Sequence, residues 1–189
     1  MLTRVTRLSG TTSQWVAIWA DTVHTYVAGL VGPNASFSTT PGALETARPN
    51  PSGFDTFVYE ESSTGVYSTY LGGSNGSTMP TAIAVISGHV YVAGNTSSSA
   101  FPGAPALTPN PTAGWVSKLE PQLNALDYTT LLGASINGIA LQQHTLRYTV
   151  PSYIEVYTAG YRFTGAVTPA AEDAFVVTLN EPVIQPVIQ

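Results

Sequence analysis

Tyr26-Val-Ala-Gly29, Tyr91-Val-Ala-Gly94 and Tyr157-Thr-Ala-Gly160 are one phrase written three times. Two other phrases travel with it. Phe57-Val58 returns as Trp115-Val116 and Phe175-Val176, with Asp55 and Asp173 two residues before the aromatic in the outer copies. Ser68-Thr-Tyr-Leu-Gly-Gly73 returns as Tyr128-Thr-Thr-Leu-Leu-Gly133 and, more faintly, as Thr6-Arg-Leu-Ser-Gly10. The order is the same in every copy. A unit of this length, repeated, is a supersecondary element that cannot bury its apolar face alone and must stack on its neighbours. The chain therefore reads as one repeat domain over 1–189, with units of about 1–65, 66–126 and 127–189.

Within a unit the apolar segments have strand length and strand composition. In the middle copy they are Val66–Leu71, Ala82–Ile86, His89–Ala93 and Trp115–Leu119, each five or six residues and rich in β-branched and aromatic side chains. Ser87-Gly88 has the length and residue types of a tight hairpin turn. Copy one offers Trp15–Trp19, Tyr26–Ala28 and Phe57–Tyr59, and copy three offers Asp127–Leu131, Gly138–Leu141, Ile154–Tyr157 and Ala174–Leu179. Fourteen prolines and seventeen glycines leave few windows in which a helix could run. The best exception, Gly138 to Tyr148, falls where copy three carries extra residues, and it reads as an extended hairpin or loop. The expected fold is all-β: three four-stranded antiparallel propeller-type blades, open or completed by oligomerisation.

Long Pro-rich connections separate the third and fourth strands of each unit: Ser36 to Gly53, Ala100 to Gly114 and Phe163 to Glu172. Thr40-Pro-Gly-Ala43 and Phe101-Pro-Gly-Ala104 repeat a turn in which proline fixes φ and glycine takes a positive one. Loops this long in a compact domain carry function or cover an edge. They are the expected binding surface.

The ordered phrases resemble the SBBP family of β-propeller repeats of bacterial surface and secreted proteins. Tyr70-Leu-Gly-Gly73, Ile83-Ala-Val85, Tyr91-Val-Ala-Gly94, Thr40-Pro-Gly-Ala43 and Asp173-Ala-Phe-Val176 with Leu179-Asn180 carry the likeness. It implies a propeller module, for which three units are too few, since closed propellers use about four to eight blades. Ser74-Asn-Gly-Ser77 lacks the acids that often follow this turn in the family. Two end faces are then left unpartnered, and either copies assemble or further blades complete the ring.

Charge excludes some partners. Acids number eleven against six Lys and Arg, for a net charge of −5, and only 9% of residues are charged. A basic stripe for nucleic acid or an anionic membrane surface is missing, and no apolar run approaches the roughly 20 residues of a membrane span. Cysteine is absent, so disulfides and thiolate metal sites are too. No signal peptide is visible at the N-terminus. Low charge, a single lysine and abundant Ser, Thr and Gly suit an extracellular or cell-surface setting.

Candidate chemistry is thin, and the expectation is a non-enzymatic module with no cofactor and no metal. Gly72-Gly-Ser-Asn-Gly76 fits Gly-x-Ser-x-Gly, but a strand rather than a helix follows Ser74, so a polar turn is the better reading. His24 and His89 precede their tyrosines by two residues and read as hydrogen-bonded structural side chains; His144 reads as exposed. Asp55 and Asp173 read first as turn-closing acids. Trp15, Trp19, Phe101 and Trp115, with Asp55 and Asp173, are the candidate ligand or interface positions. Packing between blades accounts for the tryptophans most simply, and a glycan-stacking platform is the alternative. The expected partners are other copies or other blades, with glycans second.

Overall fold

The computed structural model describes residues 13–104, 113–144, 153–164 and 171–182, and for residues 13, 15, 161–164, 171–175 and 182 it describes the backbone only. These residues form eleven strands and one short 3-10 turn at Pro121–Leu123. The first sheet holds β1 (Ser13–Ala20), β2 (Thr25–Val31), β3 (Asp55–Glu61) and β4 (Val66–Leu71) in that order. The second holds β5 (Thr78–Ile86), β6 (His89–Thr96), β7 (Ala113–Leu119) and β8 (Leu126–Leu132). The third holds β9 (Ser135–His144), β10 (Tyr153–Thr164) and β11 (Ala171–Pro182). All pairings are antiparallel. The all-β reading holds. The expectation of four strands per sheet holds for two sheets, and the third has three among the described residues.

Local chemistry explains the elements. Ser87 (φ 51) and Gly88 (φ 81) close the β5–β6 hairpin with both central residues at positive φ, the turn whose twist matches the strands. Gly42 (φ 82) and Gly103 (φ 71) sit in the two described Pro-Gly turns, where Ala43 N donates to Thr40 O and Ala104 N to Phe101 O. The Tyr-x-Ala-Gly glycine has another cause. In each sheet the register slips by one residue opposite this phrase, between Trp15 and Ala17, between Pro80 and Ala82, and between Ile136 and Gly138. At each slip a backbone carbonyl turns toward the glycine: a Cβ on Gly29, Gly94 or Gly160 would collide with the carbonyl oxygen of Gln14, Met79 or Ser135 respectively. The repeated glycine thus makes room for a repeated β-bulge.

The sheets stack in a row. One cluster joins the first sheet to the second through Tyr26, Ala28, Val58, Ile83, Val90, Val92 and Trp115. Another joins the second to the third through Tyr91, Ala93, Val116, Ile136, Ile154 and Val156. Successive residues on a strand point to opposite faces, so Val92 serves the first interface and Tyr91 and Ala93 the second. Contacts between sheets run chiefly through β1, β5 and β9, the first strand of each. No such packing joins the first sheet to the third among the described residues.

Sheets and sequence units are out of phase by one strand. Val66–Leu71, read as the opening strand of the middle unit, pairs with β3 and closes the first sheet; Leu126–Leu132 likewise closes the second. The cause is the length of the connections. Six residues (72–77) join β4 to β5 and two (133–134) join β8 to β9, enough to step from the outer edge of one sheet to the next, and each connection opens on a glycine, Gly72 or Gly133. In copy three, β9 runs to His144 and pairs with Tyr153, which makes the expected extended hairpin; residues 145–152 lie outside the description. The third Pro-rich connection is shorter than expected, because β10 and β11 stay paired out to Thr164 and Ala171.

Candidate functional site

The first Pro-rich loop does what an edge cover does. Thr40 N donates to Ser68 O, Ser68 N to Thr40 Oγ1, Glu45 N to Thr69 Oγ1 and Tyr70 N to Glu45 O, so the loop runs along the free edge of β4. The Tyr70 hydroxyl donates to Phe37 O and accepts from Phe37 N, both at 2.7 Å, and the Phe37 ring stacks on Phe57 at 4.1 Å. Val27, Val31, Ala35 and Tyr59 complete this cluster on the outward face of the first sheet.

Arg48 anchors the loop. Its guanidinium donates to Asp55 Oδ2 and to the carbonyls of Gly32, Ala35, Asn50 and Gly53. Asp55 is 1% exposed, and its Oδ2 also accepts from Asn50 N. Burial pushes the Asp55 pKa up while Arg48 pulls against it. The carboxylate therefore closes a turn, as its sequence context indicates, and is turned inward rather than toward a ligand. Sequence reasoning missed Arg48, which has no counterpart in the other copies; an arginine in a loop whose one other charged residue is Glu45 was the available signal.

A cleft of about 290 Å³ opens between the first two sheets, lined by Trp19, Asp21, His24, Tyr26, Glu60 and Tyr67 on one side and the β5–β6 turn at Ser87 and Gly88 on the other. Its floor is an acid. Glu60 is 6% exposed, its Oε1 accepts from the Tyr26 hydroxyl at 3.3 Å, and its Oε2 meets no hydrogen-bond partner. Burial raises the pKa of Glu60 and also that of Tyr26, which the Glu60 charge lifts further. Trp19 and His24 flank the Tyr26 ring at 5.7 and 5.9 Å. Asp21 accepts from the backbone N–H of Val23 and of His24, which holds its carboxyl below the usual range. A half-open cleft with aromatic walls and one spare buried acceptor suits a neutral ligand carrying hydroxyls.

At the corresponding place between the second and third sheets stand side-chain ion pairs. Lys118, at the position of Glu60, lies 2.8 Å from Asp127 Oδ2 and 3.2 Å from Glu181 Oε2, and Tyr91 donates to the same Glu181 oxygen at 2.9 Å. Burial works to lower the Lys118 pKa, and the hydrogen bonds and charges of Asp127 and Glu181 outweigh it, leaving it raised.

The remaining sequence candidates are dispersed. Trp115 is fully buried and Phe101 nearly so, with ring centroids 5.1 Å apart, so both pack the core between sheets. Trp15 lies on β1 opposite Gly29 and Asp173 on β11 opposite Arg162, and the side chains of both lie outside the described residues. Ser74 is exposed in the connection that leads into β5. His24 Nδ1 lies 3.4 Å from Asp21 Oδ2 and His89 Nδ1 3.6 Å from Glu120 Oε2. His144 is not exposed as expected: it is half-buried, 2.7 Å from Glu155 Oε2 and stacked on Tyr153, because the long β9–β10 hairpin faces it with that strand.

Among the described residues no helix is long and apolar enough to cross a membrane, and no three His, Asp or Glu side chains gather as a metal-binding group. Comparison with family models finds SBBP, the beta-propeller repeat, over residues 66–102. That span begins with β4 and runs through β5 and β6 to Phe101, so the family unit itself straddles two sheets. Comparison with curated proteins finds no match.

Proposed function

We propose, from the premise that the chain carries a beta-propeller repeat at residues 66–102, that it is a non-enzymatic assembly module whose end sheets are completed by further copies. One observation supports this above the others. Val58 and Val116, at matching positions in β3 and β7, are both 0% exposed under the neighbouring sheet, whereas Val176 on β11 is 68% exposed. Ala28 and Ala93 are buried in the same way, and their counterpart Ala159 is exposed. At the other end Ile18 is 70% exposed where its counterpart Ile83 is 7%. The face that Val176 presents is the kind that Ile83 packs against inside the chain. A third-sheet face and a first-sheet face are therefore complementary, and head-to-tail docking repeats an interface the fold already uses. Burying apolar surface of this sort favours association by about 25 cal/mol per Å² before the entropic cost of docking.

The setting assigned to this module is extracellular or on the cell surface, which the low charge, the single lysine and the Ser, Thr and Gly content support. Sedimentation of the wild type beside Ile18→Asp and Val176→Asp tests the reading. Each single variant is expected to weaken association at least tenfold while leaving the circular dichroism of the strands intact. Unchanged association in both would overturn it.

A glycan-binding role is the second reading, favoured by the cleft where Trp19, Tyr26 and Tyr67 surround the spare Glu60 oxygen. Asp55, held by Arg48, takes no part in it. A glycan array read with Trp19→Ala and Glu60→Gln is expected to show hits that both variants lose. An array without hits removes the reading.

A further inference from the structure

We infer that the cleft between the first two sheets holds a primary ammonium group, set against the free oxygen of Glu60 and walled by Trp19, Tyr26 and Tyr67. The inference rests on the glycan reading of the same cleft and names the class of sugar, one with a free amino group.

The second interface supplies the template. Tyr26 pairs with Glu60 and Tyr91 with Lys118, so Glu60 and Lys118 hold one place in successive sheets. Around Lys118 the arrangement is complete. The Tyr91 hydroxyl donates to Glu181 Oε2, and the Lys118 ammonium lies 3.2 Å from that same oxygen. The ammonium is also 2.8 Å from Asp127 Oδ2 and 5.9 Å from the centre of the Tyr91 ring. An ammonium, a carboxylate and the repeat tyrosine thus meet at one point, joined by charge-assisted hydrogen bonds and by attraction to the ring.

The first interface has the tyrosine and the carboxylate without the ammonium. The Tyr26 hydroxyl donates to Glu60 Oε1, while Oε2 meets no hydrogen-bond partner. Glu181, six residues after Phe175, has Pro121, six residues after Trp115, as its counterpart across the cleft, and Pro121 carries no charge. The acids lining the cleft are Asp21 and Glu60, and no lysine or arginine lines it. His24, the one base there, has its Nδ1 3.4 Å from Asp21 Oδ2. A carboxylate that is 6% exposed and keeps a spare oxygen is costly until a cation pairs with it. A sugar hydroxyl would satisfy the hydrogen bond alone; an ammonium on the same sugar satisfies the bond and the charge.

The walls narrow the cation. The Trp19 and Tyr26 rings stand 5.7 Å apart and inclined at 60°, an aromatic corner beside the acid. The spare Glu60 oxygen calls for an N–H donor, which a primary ammonium has and a quaternary one lacks. A volume of about 290 Å³ lies at the low end for small-molecule pockets and suits a single sugar unit. Thr64, Ser87 and Gln122, exposed at the rim, offer polar side chains to its hydroxyls.

Titration calorimetry on the wild-type chain, at pH 7 and low salt, compares glucosamine with N-acetylglucosamine, glucose and cyclohexylamine. Acetylation removes the charge, glucose has no nitrogen, and cyclohexylamine keeps the ammonium without the sugar hydroxyls. Glucosamine is expected to bind at least tenfold more tightly than either neutral sugar. Glu60→Gln, which keeps the side-chain shape and an acceptor for Tyr26, is expected to abolish that preference with the circular dichroism of the strands unchanged. Equal binding of the three sugars overturns the ammonium site and leaves the glycan reading standing. Cyclohexylamine bound as tightly as glucosamine supports the ammonium site and overturns the glycan reading. A preference for glucosamine that survives in folded Glu60→Gln overturns the role given to Glu60 and with it the inference. Binding of none of the four overturns both readings of the cleft.

Discussion

Ile18 and Ile83 hold the same place in successive sheets, one paired with Val27 and the other with Val92, yet Ile18 is 70% exposed and Ile83 only 7%. Ile83 packs against the first sheet, whereas Ile18 is left exposed beside Val27, which the cluster around Phe37 and Phe57 buries. Ile83→Ala is expected to cost about 2–4 kcal/mol of unfolding free energy, as buried truncations do. Ile18→Ala, in protein diluted below its association range, is expected to stay within about 0.5 kcal/mol of wild type. Urea unfolding of both variants checks the contrast, and equal losses would mean that the exposed face is not a docking face.

Gly94 is required for room rather than for its φ. A Cβ there would strike the carbonyl of Met79 and the backbone of Pro80 at the bulge. Gly94→Ala is expected to destabilise by about 1–3 kcal/mol through backbone displacement. Gly138, with nothing near its own Cβ position, should accept alanine within about 0.5 kcal/mol. Thermal unfolding of the pair separates a steric requirement from a general dislike of substitution in strands.

Arg48 and Asp55 form an ion pair with side chains 7% and 1% exposed. Arg48→Met is expected to cost about 3–5 kcal/mol at neutral pH, since it strands a buried carboxylate and several loop carbonyls. Without the guanidinium, burial acts on Asp55 against the Asn50 N–H bond only, and its folded pKa rises further. A raised folded pKa gives stability that is present at low pH and lost as pH rises. The deficit of Arg48→Met relative to wild type should therefore shrink on acidification, and a deficit independent of pH would contradict the pairing.

Glu45 gives a second pH signature. Burial pushes its pKa from the ordinary 4.5 up to about 7, against a hydrogen bond from the Gly72 backbone and with help from the Asp55 charge. The folded state therefore holds the proton more tightly than the unfolded one. This contribution is complete below pH 4.5 and is lost as pH rises through about 7. Because the group is partly exposed, the effect is on the order of 1 kcal/mol. Glu45→Gln should flatten the stability profile between those values and be the more stable protein at pH 8.

Much of the fold was legible because the repeat phrases record backbone constraints. Ser87-Gly88 declared its hairpin through residues tolerant of positive φ, and the Tyr-x-Ala-Gly phrase declared the repeat, although the bulge its glycine makes room for shows only in the pairing. The phase of the sheets was not legible in the same way. Nothing in Val66–Leu71 says whether the strand pairs backward with Phe57 or forward with Ile83, since that is decided by how far the Gly72–Ser77 connection reaches. The cleft was hidden for a different reason. Glu60 stands beside a second acid, Glu61, and only the alternation of the strand sends it inward beneath Tyr26. Trp115 showed the limit of aromatic counting, because a buried core ring and a ligand platform share one composition.

The most direct test of the account is the mass of the particle in solution, by light scattering across a hundredfold concentration range. The account predicts a species of two or more 19.8 kDa chains that dissociates on dilution. A single chain of 19.8 kDa at every concentration, binding no apolar dye at its ends, would contradict it.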